Sequence, residues 1–261
     1  TENFECFIDF LCNTDADLVL SDFAVVDTER VVRKIIKYNL GEGTLFGMDD
    51  VCSTIVFKNM QMHAVTYRRK NLVDLSYKQT EGISYTDQQW IFIPMISVKS
   101  VARFDKVVYK YLVGRAGQTV DPNLKLKYAN HSLRCALDMA IMYESYKNVF
   151  AGKAVQEYVE ARVIPFLKNI YVFCLTNYND ETKKLLIDFD EKLKECCQYL
   201  YCLIGSKDIS SFHNFEYIRY WREHKGINKT LLKLLSKVYL MILNMKKTSS
   251  EQDAMSVPVS F

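Results

Sequence analysis

The chain has 261 residues, enough for one large domain or two small ones, and 49% hydrophobic with 25% charged side chains describes a folded globular protein, excluding collagen-like, low-complexity and disordered classes. Its formal charge of +3 is the difference between 34 basic and 31 acidic residues, so no chain-wide field draws it to nucleic acid, which is not expected as a partner. Residues 1–125 are close to charge balance, and the remainder carries the basic excess.

Phe4, Phe7, Ile8 and Leu11 recur at helical spacing, and Thr1 to Asn3 supply capping chemistry, so residues 2–12 are predicted to form a short amphipathic helix. Two runs rich in β-branched and aromatic residues follow, Asp17 to Val26 and Arg30 to Tyr38, with a turn near Asp27-Thr28; they predict an antiparallel strand pair. Gly41, Gly43 and Gly47 mark a loop, and Met48 to Phe57 reads as a helix or a mixed segment. Met62 to Tyr67 is predicted as a strand, with a short helix through Asn71-Leu72-Val73. Tyr85 to Trp90 opens a further helix, with Thr86 or Asp87 as its cap and Trp90, Ile91, Ile93 and Pro94 facing inward. Val101 to Val113 is strand-like, with Tyr109 and Tyr111 alternating, and ends in Gly114-Arg115-Ala116-Gly117-Gln118-Thr119. Beyond a boundary near 122–128 the pattern becomes helical to about Lys247 and predicts four or five packed helices. Breaks fall at 176–180, 205–211 and 225–226, and the tail from Thr248 is polar, with Pro258.

Eight cysteines at irregular spacing, without a secretory leader, fit a reducing cytosol better than a disulfide framework. Cys196, Cys197 and Cys202 match no zinc-site spacing and read as helix core thiols. The longest apolar run of the last helix, Val238 to Leu243, falls far short of a membrane span.

The strongest local motif is Ser84-Tyr85-Thr86-Asp87-Gln88-Gln89-Trp90. A carboxylate in the first turn of a helix can project into a cleft as a general base while the helix terminus keeps it ionised. The same Asp serves equally as a plain cap. The Gly114–Thr119 loop brings two glycines and Arg115 directly after a strand, a geometry that suits an anion and also suits an ordinary turn. It is neither a Walker motif nor a dinucleotide fingerprint. Asp15-Ala16-Asp17 has the Asp-x-Asp form of a metal site but precedes its strand instead of following it, and Asp49-Asp50 reads as helix-cap chemistry. His63 stands on a strand ahead of Tyr67-Arg68-Arg69-Lys70, while His131, His213 and His224 form no motif. Lys229, Lys233 and Lys237 line one side of an amphipathic helix that reads as a solvated face or as a surface for an anionic membrane.

Together the succession DADLVLSDF, MHAVTYRRKNL, GISYTDQQWIFIPM and VVYKYLVGRAGQT resembles the second half of a bacterial family 2 glycosyltransferase of GT-A fold. The resemblance covers roughly residues 1–125 and is most specific over 82–119. It implies an α+β protein, a partial GT-A-type mixed sheet with flanking helices (1–125), followed by an α-helical extension (126–250) and a tail (251–261). It further implies an inverting transfer from a nucleotide-diphospho-sugar to a polysaccharide or lipid-linked acceptor, in cell-surface polysaccharide biosynthesis at the cytoplasmic face of the membrane. On this resemblance Asp87 is the catalytic base; Trp90, Gln88, Gln89 and His63 bind the acceptor; and Arg115, Gly117 and Gln118 close over the donor diphosphate. The family holds Mg²⁺ or Mn²⁺ on an Asp-x-Asp in a nucleotide-binding half that is expected to lie upstream of Thr1. The chain itself is therefore expected to hold no metal and to transfer no sugar alone. The competing class is a noncatalytic helical interaction module whose basic helix at 229–247 binds a partner or a membrane surface.

Overall fold

The computed structural model describes residues 2–38, 40, 41, 43–54, 57, 60–115, 128–212 and 214–224. They form a mixed α/β protein in two units, one comprising residues through His131 together with Met142–Val163, the other Ser132–Ile141 and the residues from Ile164. The expected boundary at 122–128 falls largely outside the described residues.

In the first unit, α1 (Glu2–Asn13) leads into β1 (Leu18–Val26), which is buried along its whole length, the polar Ser21 and Asp22 included. β2 (Val32–Ile36) pairs antiparallel with the second half of β1 and β4 (Val65–Tyr67) with its first half, so the two share one edge end to end. β5 (Ser100–Leu112) runs parallel to β1 on the other edge and is flanked by the short β3 (Phe46–Gly47). The predicted hairpin is present: β1 turns through Asp27, whose Oδ1 accepts from the Glu29 and Val31 N–H groups, while Arg30 takes φ 65°.

The first helix is rotated relative to its predicted stripe. Phe7, with Cys6, Phe10 and Leu11, packs onto Ala16, Val19, Ala102 and Phe104, whereas Phe4 and Ile8 stay exposed. Phe104 decides the rotation, because its ring meets both Phe7 and Phe10, at 5.2 and 5.4 Å between centroids.

Short elements complete this unit: α2 (Met48–Val51), α3 (Arg69–Asp74) and α4 (Asp87–Trp90). Met62–Ala64, predicted as strand, is instead a 3₁₀ turn that delivers the chain into β4. Asp22, 1% exposed, is paired with Arg103 at 3.1 Å, and Arg103 also donates to the Leu40 carbonyl. This pair lies where β1 and β5 lose register: opposite the successive residues Ser21, Asp22 and Phe23 stand Phe104, Val107 and Tyr109. A bulge of this kind changes which side chains face a given surface.

After residue 128 the described residues hold six helices, more than the sequence pattern separated: α5 (Ala129–Phe150), α6 (Ala154–Thr176), α7 (Asp180–Cys196), α8 (Gln198–Ile204), α9 (Lys207–Ser210) and α10 (Tyr217–His224). The predicted breaks at 176–180 and 205–211 are present, the first as a capping box between Asn179 and Thr182. Two further breaks, at Gly152 (φ 73°) and at Cys197, divide what reads in sequence as continuous helix.

In the second unit the α7 carboxylate Asp190 accepts from Tyr171 Oη (2.6 Å) and Arg222 Nε (2.8 Å), and Arg222 also donates to Tyr171 Oη and the Tyr201 carbonyl. The guanidinium lies 3.6 Å above the Tyr201 ring. A Cβ on Gly205 would stand 2.5 Å from Arg222 Nη1, so the glycine makes room for the arginine.

Candidate functional site

The described resemblance-based residues fall in the first unit but not at one place: His63 lies against the carboxyl half of the parallel pair β1 and β5, the end at which open α/β sheets bind ligands, whereas Trp90 packs on Tyr67, opposite Leu18 at the start of β1. At the carboxyl half the β5 bulge has brought Tyr109 level with Phe23 and Tyr111 level with Val25. His63, on the 3₁₀ turn, is laid against both tyrosines. Its ring is 5.0 Å from Tyr109 and nearly coplanar in orientation with it, 4.2 Å from Tyr111, and meets the edge of Phe23 at 5.4 Å. Three rings thus fix the imidazole in place. Tyr109 remains exposed at 47%, so the stack reaches the surface.

The charge of Asp87, on α4, is felt at this stack. Its negative charge raises the tyrosine pKa of Tyr111 beyond what burial alone does, and it opposes the burial that pushes His63 below its ordinary value. Gln88 Nε2 donates to the Asp87 carboxylate at 3.0 Å. The expectation that Thr86 or Asp87 caps this helix is corrected: Thr86 occupies the cap position in an α-like conformation and makes no side-chain cap bond, and Asp87 lies one residue inside. The carboxylate is half-buried and not consumed by its own helix. The helix is a single turn, so its dipole adds little to holding the carboxylate charged.

The turn before Asp87 is unusual, because Tyr85 has φ 71°, a left-handed conformation that is costly for a bulky aromatic residue. The surrounding backbone is anchored from α6, where Tyr158 Oη donates to the Ile91 carbonyl at 2.5 Å and Arg162 Nη2 to the Met60 carbonyl at 2.6 Å. These bonds hold the segments immediately after α4 and immediately before His63.

The other named residues are placed differently. Trp90 is half-buried, its ring edge-on to Tyr67 at 5.0 Å and to Tyr77 at 6.1 Å, and its carbonyl accepts from Tyr67 Oη. Gln89 is fully buried, and its amide is spent on Thr80: Oε1 accepts from the Thr80 N–H and Nε2 donates to Thr80 Oγ1. It ties the 80s loop to α4. Arg115 is exposed just past β5, and Gly117 and Gln118 lie outside the described residues, as does the basic helix at 229–247. Among the inward residues expected here, Ile91, Ile93 and Pro94 are buried as predicted.

Metal chemistry has no side-chain cluster to attach to among the described residues, where no three His, Cys, Asp or Glu side chains converge. Asp17 is engaged in closing the sheet, its Oδ2 accepting from the Lys99 N–H, and Asp15 points to solvent with Arg68 3.6 Å away. Among the described residues no helix is long and apolar enough to cross a membrane.

A concavity of about 620 Å³ opens in the other unit among Tyr201, Cys202, Ser206, Lys207, Arg219 and Arg222. Its arginines are already paired, Arg219 with Glu216 and Glu223, and Arg222 with Asp190. Its cations are thereby largely neutralised for an anionic ligand.

Tyr109, Tyr111 and Phe23 were missed as site residues, although the period-two tyrosines of VVYKYLV place both on one face of a strand. No family model matches the chain, and no curated protein matches it.

Proposed function

We propose that the Asp87 surface is the acceptor side of an inverting glycosyltransferase. The observation that carries this reading is a half-buried carboxylate, not used as a cap, in the same unit as a surface-reaching stack of His63, Tyr109 and Tyr111 that feels its charge. It is supported by the order of motifs over residues 82–119, which resembles that of family 2 enzymes.

In this mechanism the Asp87 carboxylate takes the proton of an acceptor hydroxyl. The freed oxygen pair attacks the anomeric carbon of a nucleotide-diphospho-sugar from the face opposite the leaving group. The glycosidic bond forms as the anomeric carbon–phosphate oxygen bond breaks, the nucleoside diphosphate departs with that electron pair, and configuration inverts. Gln88 orients the carboxylate, and the exposed tyrosine faces offer a flat amphipathic surface with hydroxyls for a sugar ring. The family's divalent metal would stabilise the departing diphosphate; no step assigned to these residues passes through it. The glycan or lipid-linked nature of the acceptor, a location at the cytoplasmic face and a role in surface polysaccharide assembly belong to the same reading.

The test is Asp87→Asn in the full-length protein that carries this sequence, assayed with a panel of nucleotide-diphospho-sugars and glycan or lipid-linked acceptors. Turnover should fall by about 10²–10⁴-fold, the usual contribution of a general base. The melting temperature should stay within about 2 °C, because no cap or buried pair is lost. Undiminished turnover would overturn the assignment of the base.

A further inference from the structure

The backbone that presents Asp87 is held by a histidine from a distant part of the chain. In the first turn of α5, His131 Nδ1 lies 3.1 Å from the Ser84 backbone nitrogen and accepts its N–H, with Ser84 Oγ at 3.5 Å from the same atom. An accepting Nδ1 is unprotonated, which places the proton of the neutral ring on Nε2. The imidazole is steadied by Tyr128, 5.3 Å away between ring centroids. Ser84 immediately precedes Tyr85, the residue held at φ 71°, and Asp87 follows two residues later. A bulky non-glycine residue is strained in that region and persists there only where neighbouring contacts over-determine it. Tyr158 and Arg162 fix the chain after α4 and before His63, but neither acts on the entry to the turn. His131 does.

We infer that His131 is a positioning residue for Asp87: by accepting the Ser84 N–H it locks the left-handed Tyr85 turn from which α4 starts, and so fixes where the Asp87 carboxylate stands. The inference deepens the glycosyltransferase reading and rests on Asp87 being the working group, but its geometry is testable without any transfer assay.

The probe is His63, whose titration senses the Asp87 charge. In the ¹⁵N-labelled 261-residue chain, Asp87→Asn should lower the His63 midpoint. The same substitution should have no effect in a His131→Leu background, because the carboxylate has already swung away. Ser84 amide exchange should rise by about tenfold or more in His131→Leu, as expected when a local hydrogen bond is lost. His131→Asn, whose Oδ1 can accept at the place of Nδ1, should restore both readouts to near wild type; a merely space-filling role would not be rescued this way. If His131→Leu does not fold, the unaltered protein and the Asn variant decide. A protonated Nδ1 by ¹⁵N shift in the former, or a His63 midpoint insensitive to Asp87→Asn in the latter, overturns the inference. An unchanged Ser84 amide and an intact His63–Asp87 coupling in a folded His131→Leu chain also overturn it. Absence of sugar transfer with these couplings intact overturns the enzymatic reading alone.

Discussion

Two polar clusters in this molecule contain the same kinds of side chain and are wired in opposite ways. Around Asp190 in the helical unit, the carboxylate accepts from Tyr171 and Arg222 while Arg222 donates to Tyr171 and the Tyr201 carbonyl, so the pair is closed upon itself and almost wholly buried. Around Asp87 in the sheet unit, the contacts are mainly ring on ring, the carboxylate takes a hydrogen bond from its neighbour Gln88, and Tyr109 stands open to solvent. A saturated network holds a fold together but has nothing left to offer a ligand. An unsaturated one contributes less to stability and keeps its chemistry available.

That contrast can be broken at its strongest point by Arg222→Leu. Removing the guanidinium strands the buried Asp190 charge, and the loss expected for one partner of a buried pair is about 3–5 kcal/mol in urea or guanidinium unfolding. A loss below about 1 kcal/mol would show the cluster to be solvated and the contrast mistaken. Gln89→Leu comes next. It leaves the Thr80 N–H without its acceptor in a buried site, at a cost of about 1–3 kcal/mol, and it tests whether the middle of the Asp87 motif is structural while its head is not.

The smallest effect is one of pH. Burial lowers the His63 pKa in the folded protein, so the unfolded chain takes up its proton first as the solution is acidified. This contribution is fully present above the ordinary histidine value and is lost as pH falls through about 6.5 toward the depressed folded value. Stability measured at about pH 7.5 and about pH 5.5 should therefore differ less in His63→Gln than in the unaltered chain. An identical pH dependence would mean that His63 is not desolvated by its three rings.

Local chemistry was legible in the sequence wherever it is carried by neighbouring residues. The β-branched and aromatic content of the runs at 17–26 and 30–38 announced an antiparallel strand pair, Asp27-Thr28 announced the turn between them, and the pattern from Tyr85 to Trp90 announced a helix. The site as a whole was less legible because register and distance assemble it. Tyr109 and Tyr111 reach His63 only after β5 has slipped against β1, and no residue pattern encodes the size of that slip. His131 belonged to no motif because its partner is a backbone N–H, which is the same for every sequence. The assignment of Gln89 to the acceptor side shows the reverse limit, since its sequence neighbours Asp87 and Gln88 are half-buried while Gln89 is wholly enclosed.

The slip in β5 also divides the strand in two. Below it, Ala102 and Phe104 are locked into the packing of α1 and β1, where a single methylene matters. Above it, Lys110 stands exposed between Tyr109 and Tyr111, which hold the His63 ring. One strand thus carries in series a segment bound into the core and a segment that reaches the surface, and the bulge between them is what lets it do both.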